Sequence, residues 1–381
     1  MLFLFTIMLN KPLHIISFDN PFPANYGGVI DVFYKLKSLH DLGYATHFHC
    51  FYDERNVVSD ELKAITEKVY LYKKNRNPLF LFSNIPFGII SRFHKSLIHN
   101  IEAIDAPILF EGLQSTMVLH KAKLQGKKYL RLHNLESKFY SGMFQSETQW
   151  IKKIMYYLEV RKYKEYEKQL HHFNHVFTLS VHEKEVVKSW SDSVTYVPVF
   201  NGNKKVMQIS EQGDYALYHG DLRLPDNKRA VRFLIKIFQK IPNYKLIIAS
   251  SNGKDFVTSQ IKNFTNIEFV IIDSESHLDT LLENAHINVL LSFQQSGTKL
   301  KLINSLFKSR FCLINENMVD DKNILQLCEM ASSEGEFITK INELKSRPYL
   351  DNLNRKEILS QVLDDQKNAQ VLASIIEADK G

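Results

Sequence analysis

Four short segments of this 381-residue chain carry residues suited to binding a ligand. In chain order they are Asn25-Tyr26-Gly27-Gly28, His133-Asn134-Leu135-Glu136, Gly220 to Lys228, and Ser296 to Lys301. Paired glycines let a ligand approach the backbone at the start of a helix, where the helix dipole attracts an anion. Histidine can donate to a substrate oxygen, and lysine adds positive charge. The last of these segments has the pattern of a phosphate site, although a surface helix with solvated lysines would explain it as well.

The first two segments also have ordinary structural explanations. The Gly27-Gly28 pair could serve a tight turn that needs a positive φ, and it does not form the dinucleotide motif Gly-x-Gly-x-x-Gly. His133 could be a structural histidine, although Asn134 and Glu136 add hydrogen-bonding groups beside it. Glu111 ends another predicted strand and is a further candidate. Both interpretations remain open for these segments.

The other two segments carry basic residues just before a predicted helix. In the loop 219–228, Gly220 follows a predicted strand, and Arg223, Asn227 and Lys228 suit contact with a phosphate or a sugar. A polar connector explains this loop equally well. Ser296, Gly297 and Thr298 precede a helix that carries two lysines, Lys299 and Lys301. Lysines two positions apart cannot share one helical face, so we expect only one of them to reach a ligand.

These segments follow compact apolar runs that alternate with helical patterns. Such alternation predicts parallel sheets built from βα units, with ligands at the carboxyl ends of the strands. The predicted strands are 13–18, 45–51, 106–112, 127–134, 175–180, 195–200, 215–220, 245–250, 266–272, 287–293 and 311–315. A long helix is predicted over 146–172, a polar linker over 201–214 and a final helical segment over about 353–377.

The composition is that of a globular protein with two domains. The length suits about two domains of 150–200 residues, and the chain is 44% hydrophobic and 24% charged. We expect domains over 9–204 and 213–350, and a C-terminal helix over 351–381 that returns to the first domain. The three cysteines are far apart, form no Cys-x-x-Cys pair and predict a reducing compartment. No histidine group has flanking ligands at metal spacing.

The net charge and the apolar segments bear on the expected partners. The formal charge of +6 lies entirely in residues 1–200, while residues 201–381 are neutral. A basic first half favours an anionic partner, but the excess is too small to indicate nucleic acid. The opening MLFLFTIM lacks the basic start and cleavage site of a signal peptide, and we expect Met8 to be the true or alternative start. No run approaches the ~20 apolar residues that span a bilayer.

The order of these motifs resembles that of family 4 glycosyltransferases. Residues 21–43 resemble their first glycine loop and helix, 130–136 their histidine-containing strand end, and 177–187 the strand, serine and helix that follow. Residues 218–234 and 296–315 resemble their donor-domain loops. The resemblance covers about residues 12–345 and looks closest to a Bacteroidetes-type group of unassigned specificity. It implies an α/β GT-B fold, in which two Rossmann-like domains face each other across a cleft.

The sequence departs from this family at the donor site. Family 4 enzymes carry Glu-x7-Glu on the donor helix, where the first carboxylate touches the sugar and the second the ribose. The corresponding residues are Ser296 and Asn304, and Gln294 or Gln295 could replace the first carboxylate. The family's loop lysine corresponds to Asp226, which leaves Lys228 or Arg223 to compensate.

The resemblance implies retaining transfer of a sugar from a nucleotide sugar, without a metal and with no cofactor besides the UDP- or GDP-linked donor. His133 would contact the transferred sugar, and Lys301, which matches the family's helix lysine, would stabilise the diphosphate leaving group. The implied donor-binding residues are Gly27, Gly28, Gly220, Arg223, Asn227, Lys228, Gln295, Ser296, Gly297, Thr298 and Asn304. The implied acceptor-binding residues are Asn25, Tyr26, Glu111, Asn134 and Glu136.

The implied partner is a glycan or a lipid-pyrophosphate-linked acceptor in the synthesis of bacterial surface polysaccharide, lipopolysaccharide or glycoprotein glycan. The segment 78–95 and the helix 151–168 combine aromatic and basic residues, which suits a membrane surface, although a solvated helix explains them as well. The expected location is the cytoplasm, with peripheral contact on the cytoplasmic face of the inner membrane. The missing carboxylates leave two alternatives: a subunit that binds sugar nucleotide without catalysis, or a GT-B-fold sugar-nucleotide epimerase.

Overall fold

The structure is a computed structural model that describes residues 11–24, 27–294, 299–350 and 353–379. Its internal contacts divide the chain into two compact units. The first unit comprises the described residues of 1–137, 158–202 and 363–381, and the second comprises those of 138–157 and 203–362. Segments 138–157 and 351–362 therefore group differently from the domain boundaries predicted above.

The first unit contains a parallel sheet in the order β3-β2-β1-β4-β5-β6-β7. Its strands are β1 (Lys11–Ser17), β2 (Tyr44–Tyr52), β3 (Lys68–Lys73), β4 (Ile108–Glu111), β5 (Lys128–Leu132), β6 (His175–Thr178) and β7 (Val194–Tyr196). Most of these strands are buried along their length, as expected for parallel strands covered on both faces. The strand order reverses between β1 and β4.

The second unit repeats this topology with the order β10-β9-β8-β11-β12-β13. Its strands are β8 (Tyr215–His219), β9 (Leu246–Ser250), β10 (Ile267–Ile271), β11 (Ala285–Leu290), β12 (Phe311–Ile314) and β13 (Glu329–Met330). All pairings in both sheets are parallel. The expected pair of Rossmann-like domains is confirmed.

Helices and 3₁₀ turns connect these strands. The α-helices are α1 (Gly27–Asp41), α2 (Asp60–Ala64), α3 (Phe87–Ile90), α4 (Lys95–Glu102), α5 (Glu136–Ser146), α6 (Trp150–Tyr166), α7 (Val181–Val187), α8 (Pro225–Phe238), α9 (Lys254–Ile261), α10 (Glu275–Asn284), α11 (Leu300–Lys308), α12 (Lys322–Leu325), α13 (Glu334–Leu344), α14 (Leu353–Val362) and α15 (Asp365–Ala378). The 3₁₀ turns are Pro78–Phe82, Leu113–His120 and Glu167–His172. No helix in the described ranges is long and apolar enough to cross a bilayer.

The last helix, α15, packs into the core of the first unit. Leu372 and Ile376 are fully buried there with residues of β1 and α1. Glu377 accepts hydrogen bonds from Lys11 and Tyr44, at 2.8 and 2.9 Å. The last described helix of the chain therefore packs against the sheet of the first unit.

Three predictions about elements were incomplete. The sequence analysis did not identify β3 or β13, although Val69-Tyr70-Leu71-Tyr72 is typical of a strand. The long helix predicted over 146–172 begins at Trp150 and continues as a 3₁₀ turn after Tyr166. The single C-terminal helix is in fact two, because Asp364 caps a new helix by accepting from the N–H groups of Gln366 and Lys367.

Candidate functional site

In the first unit, three strands that flank the reversal of strand order end side by side. Ser17 of β1 pairs with Glu111 of β4, and Glu111 pairs with Arg131 of β5. Open parallel sheets bind ligands at the carboxyl ends of strands at such a reversal. His133, two residues beyond Arg131, reaches the same edge.

Glu111 and His133 form a buried hydrogen-bonded pair. The distance from His133 Nε2 to Glu111 Oε2 is 2.9 Å, and the residues are 8% and 0% exposed. With Glu111 ionised, Nε2 carries the proton in this bond, so Nδ1 offers a lone pair when the ring is neutral. No residue in the described part of the chain bonds to that Nδ1, and Glu111 Oε1 is likewise buried without a partner there. Two polar atoms are therefore left for a ligand.

A buried network of charges holds this pair in place. The ammonium of Lys35 lies 2.9 Å from Glu111 Oε2 and 2.8 Å from Asp31 Oδ2. Asp31 also accepts from Arg131, with 2.9 Å between Arg131 Nη2 and Asp31 Oδ1. All four charged side chains are fully buried. Each carboxylate meets a cation, which is the condition for burying charges without a large penalty.

Arg131 and Asp31 also tie the network to the backbone after β7. Arg131 donates to the carbonyls of Val197 at 2.6 Å and Pro198 at 2.9 Å. The backbone N–H of Phe200 donates to Asp31 Oδ1 at 2.9 Å. Burial by itself would raise the pKa of Asp31, but Arg131 and Lys35 outweigh it and hold that pKa well below its ordinary value. Asp31 therefore stays ionised at any physiological pH.

Asp31, Glu111 and His133 also have the spacing of a metal site, because one ligand atom of each lies within 4.8 Å of the others. Lys35 Nζ, however, already contacts the carboxylate oxygens of Asp31 and Glu111 that would face the ion. A divalent cation there would meet an ammonium and a guanidinium at close range. The donor set therefore fits an ion-pair network better than a metal centre.

Two glycines shape the edge of this site. A Cβ on Gly28 would lie 2.7 Å from Cζ of Phe18, whose ring packs edge-on against His133 at 5.3 Å between centroids. Gly112, after Glu111, has φ +70°, a conformation that favours glycine. Gly27 is exposed at the start of α1. The predicted residues Asn25 and Tyr26 lie outside the described residues.

The other two predicted acceptor residues follow His133 directly. Asn134 is half-buried. Glu136 is 3% exposed and hydrogen-bonds to Gln114. Burial, reinforced by the nearby carboxylates of Glu167 and Glu183, raises the pKa of Glu136 to about 8. Glu136 is therefore mostly protonated at neutral pH.

In the second unit, Lys301 is held by neutral groups. Its Nζ lies 3.1 Å from Asn227 Oδ1 and 4.8 Å from the centroid of the Tyr218 ring. No carboxylate in the described ranges forms an ion pair with Lys301. Burial lowers its pKa to about 8, with the more distant Asp226 acting in the opposite direction. This ammonium therefore lacks a direct counter-ion.

Asp226, which stands where the family's loop lysine is expected, has a structural position. It is 5% exposed and accepts from Ser292 Oγ and from the backbone N–H of Phe293, both at 3.0 Å. Asn227, next along α8, donates to the carbonyl of Asp221 at 2.8 Å. Both side chains thus fix loops at the carboxyl ends of the strands.

The other cations predicted at this site have different partners. Arg223 has a side chain that is 71% exposed and forms an ion pair with Asp221. Lys228 lies over the ring of Phe256, with 5.4 Å from Nζ to the centroid. Gly220 faces Asn227, and a Cβ there would lie 3.3 Å from Asn227 Nδ2. The structure therefore joins Gly220, Asn227 and Lys301 but gives Arg223 and Lys228 separate partners.

The remaining donor predictions fall around the start of α11. Asn304 accepts from Asn203 Nδ2 at 3.1 Å. Gln294 is 6% exposed, and its Nε2 is buried without a partner among the described residues. Gln295, Ser296, Gly297 and Thr298 lie outside the described residues.

Several solved structures share this architecture over nearly their whole length. Sucrose-phosphate synthase from Thermosynechococcus elongatus has a TM-score of 0.70 at 13% identity, with 97% of this chain and 99% of that chain covered. The lipopolysaccharide outer core galactosyltransferase WaaB has a TM-score of 0.63 at 10% identity, with 97% and 100% covered. Anabaena HepE, in complex with UDP and glucose, has a TM-score of 0.62 at 10% identity, with 96% and 99% covered.

The chain has the GT-B fold. This confirms the fold class expected from the sequence; identities this low establish the fold alone. No protein-family model matches the sequence. An uncharacterised 44.6 kDa protein from the cps region of Klebsiella pneumoniae is 24% identical over 320 residues, with 78% of this chain and 81% of that protein covered.

Sequence reasoning missed three charged residues in the first unit of this GT-B chain: Asp31, Lys35 and Arg131. Weak signals were present, because Arg131 interrupts an apolar strand and Asp31 and Lys35 are four residues apart on one helix face. In the second unit it missed Tyr218, which lies beneath Lys301. Nothing in the sequence marks that tyrosine as different from its apolar strand neighbours.

Proposed function

We propose that the protein is a glycosyltransferase that moves a sugar from a nucleotide sugar to a glycan or lipid-linked acceptor. The observation that carries this proposal is Lys301, a partly buried ammonium whose contacts are the neutral groups of Asn227 and Tyr218. A cation without a counter-ion at the carboxyl ends of a GT-B sheet suits the diphosphate that forms when the sugar leaves. The complex of HepE with UDP and glucose supports a UDP-linked donor.

In this proposal the two units have different tasks. Lys301 binds the diphosphate of the donor and stabilises its charge as the glycosidic bond breaks. Glu111 fixes His133 so that Nδ1 can bind the sugar or the acceptor, and Gly28 leaves room for the ring of Phe18, which packs against His133. We propose that the transfer retains the configuration at the anomeric carbon and requires no metal, as the resemblance to family 4 implies.

The proposed setting is the synthesis of bacterial surface polysaccharide, lipopolysaccharide or glycoprotein glycan. The galactosyltransferase WaaB acts on the outer core of lipopolysaccharide, and the Klebsiella relative belongs to a cps region. Both support an acceptor that is a growing glycan. The transferred sugar is expected to be a hexose, by analogy with WaaB.

The test combines donor binding with product analysis. Calorimetric titration with UDP- and GDP-sugars should show binding that weakens at least about tenfold in Lys301→Met, since a charge-assisted hydrogen bond is lost. Transfer to a lipid-linked acceptor should fall about 10²-fold or more in the same variant. Lys308→Met is the matched control, because Lys308 lies on the same helix but pairs with Asp279 at 2.6 Å. Equal donor affinity in both variants would contradict the role of Lys301.

A second function is favoured by Asn304. This residue stands where a ribose-binding carboxylate is expected, and its amide oxygen already accepts from Asn203. A subunit that binds sugar nucleotide without catalysis would tolerate this change. Donor binding that depends on Lys301, with no product from any lipid-linked acceptor, would favour this function over the transferase.

A further inference from the structure

The N-terminal half of α6 exposes an unusually apolar surface. Six of the thirteen large hydrophobic side chains that are exposed in the described residues lie within nine positions of this helix. They are Trp150 (71%), Ile151 (57%), Ile154 (51%), Met155 (41%), Tyr157 (50%) and Leu158 (43%). Isolated exposed apolar residues are ordinary, but a contiguous patch marks an interaction surface.

Helix geometry places all six side chains on one face. At 3.6 residues per turn they cover an arc of about 160° around the axis. Glu159 and Tyr163, which lie on the opposite side, are 7% and 0% exposed. A surface helix normally buries its apolar face and exposes its polar one, and here the exposed face is apolar as well. We call this arc the apolar face of α6.

A positive charge borders this apolar face, and negative charges are absent from it. The same geometry puts Lys153 about 40° beyond one edge of the arc, whereas the exposed Lys152 lies farther round the helix, between Glu159 and Tyr163. No acidic residue occurs from Thr148 to Leu158. The next one, Glu159, is buried and paired with Lys162 at 2.9 Å.

A second exposed apolar segment is attached to the same helix. Leu79 and Phe82, in the turn Pro78–Phe82, are 68% and 87% exposed. Lys162 of α6 donates to the carbonyl of Leu81 at 3.0 Å and so holds this turn against the helix.

We propose that the apolar face of α6 inserts shallowly into an anionic lipid bilayer. Tryptophan and tyrosine favour the interface between water and hydrocarbon, and flanking lysines reach anionic headgroups while their stems lie along apolar surface. A protein partner would also cover apolar side chains, but the lysine at the edge of the face and the absence of acidic residues from Thr148 to Leu158 favour an anionic lipid surface. The proposal does not depend on the transfer reaction, although it would bring the enzyme to a lipid-linked acceptor.

The test measures vesicle binding of the full-length chain by fluorescence and sedimentation. The chain has two tryptophans, so Trp190→Phe leaves Trp150 as the only reporter. Vesicles of phosphatidylglycerol and phosphatidylcholine should shift the Trp150 emission to the blue and sediment the protein, with weaker binding at high salt. Pure phosphatidylcholine should bind less.

Two sets of substitutions separate the apolar and the charged contributions. The triple variant Ile151→Ser, Ile154→Ser, Leu158→Ser should lower the vesicle partition coefficient at least about tenfold. Lys152→Gln with Lys153→Gln should lower it about fivefold for each charge and remove the preference for anionic lipid. The control, Ile271→Ser with Leu350→Ser, changes side chains that are 45% and 73% exposed elsewhere, and it should bind like the parent.

Three outcomes would overturn the proposal. They are no blue shift with either vesicle, equal loss of binding in the triple variant and its control, or a self-association that the triple variant abolishes. The last would show that the face joins two copies of the chain. Donor affinity of the triple variant, measured without vesicles, should equal that of the parent, so failure of the donor experiment leaves the vesicle result intact.

Discussion

The two candidate regions handle buried charge in opposite ways. In the first unit, Asp31, Glu111, Lys35 and Arg131 neutralise one another and leave no charge without a partner. In the second unit, the described groups that contact Lys301 are an amide oxygen, a hydroxyl, a carbonyl and an aromatic ring, and none of them is charged. A closed network favours a rigid scaffold, whereas an open cation favours binding of an anion.

This difference suggests that the charged groups of the first unit contribute to folding stability and that Lys301 of the second unit contributes to ligand binding. The closed network needs no ligand to balance its charges, so its role is to position Glu111 and His133. Lys301 is destabilised by burial until an anion arrives. Substitutions should therefore have their largest effect on unfolding in the first unit and on donor binding in the second.

The largest effect is expected from opening the closed network. Asp31→Ala leaves Arg131 and Lys35 buried with one carboxylate between them and should lower the free energy of unfolding by about 3–5 kcal/mol. Urea unfolding followed by circular dichroism measures this change. Asp60→Ala removes an exposed pair with Lys63 and should cost less than about 1 kcal/mol. Equal urea midpoints for the two variants would show that Asp31 does not stabilise the fold by neutralising Arg131 and Lys35.

A smaller effect tests Glu136, a buried carboxyl group of the first unit that forms no ion pair among the described residues. Burial raises the folded-state pKa of Glu136 from 4.5 to about 8. Its contribution to stability is therefore complete below pH 4.5 and is lost as the pH rises through 8, by up to about 4 kcal/mol. Glu136→Gln mimics the neutral acid and should remove this slope from the unfolding free energy between pH 5 and 8. A parallel slope in the variant would assign the pH dependence to other groups.

The strand ends were predictable from sequence, and the pairing of charges was not. Glu111 and His133 follow adjacent apolar runs, and neighbouring parallel strands end at the same sheet edge, so their proximity could be anticipated. Asp31 and Arg131 are 100 positions apart, and sequence patterns treat both as surface residues. Only the folded chain shows that each cancels the other's charge.

The same limit applies to the basic residues of the second unit. Arg223, Lys228 and Lys301 were all candidate phosphate ligands, and only the resemblance to family 4 set Lys301 apart from the other two. The structure distinguishes them by their neighbours, since Asp221 pairs with Arg223, Phe256 lies under Lys228, and Lys301 has no carboxylate partner in the described ranges. Their roles in donor binding stay predictions. Local sequence cannot distinguish them, because the partners of Lys228 and Lys301 come from other elements.

The pH dependence of donor binding tests whether the open cation is the diphosphate ligand. Burial lowers the pKa of Lys301 to about 8, so the ammonium is lost as the pH rises through that value. Donor affinity should then fall by up to about tenfold per pH unit above 8. Lys301→Arg keeps the charge and should give an affinity that is weaker at pH 7 but constant to pH 9.5, measured by calorimetry. The same decline in both proteins would exclude Lys301 as its cause.

The smallest effect is expected on the stability of the second unit. Its sign distinguishes an open cation at Lys301 from a closed network like that of the first unit. The folded-state pKa of Lys301 lies below the ordinary value of 10.5, so its charge opposes folding at neutral pH and this opposition disappears as the pH rises above 8. Lys301→Met keeps the length of the side chain without the charge. At pH 7 it should raise the free energy of unfolding by about 1–2 kcal/mol, where Asp31→Ala lowers it. Urea unfolding at pH 7 and pH 10 measures both variants, and the gain in Lys301→Met should shrink at pH 10. If Lys301→Met lowers the stability at pH 7, the ammonium has a compensating partner and is not an open cation.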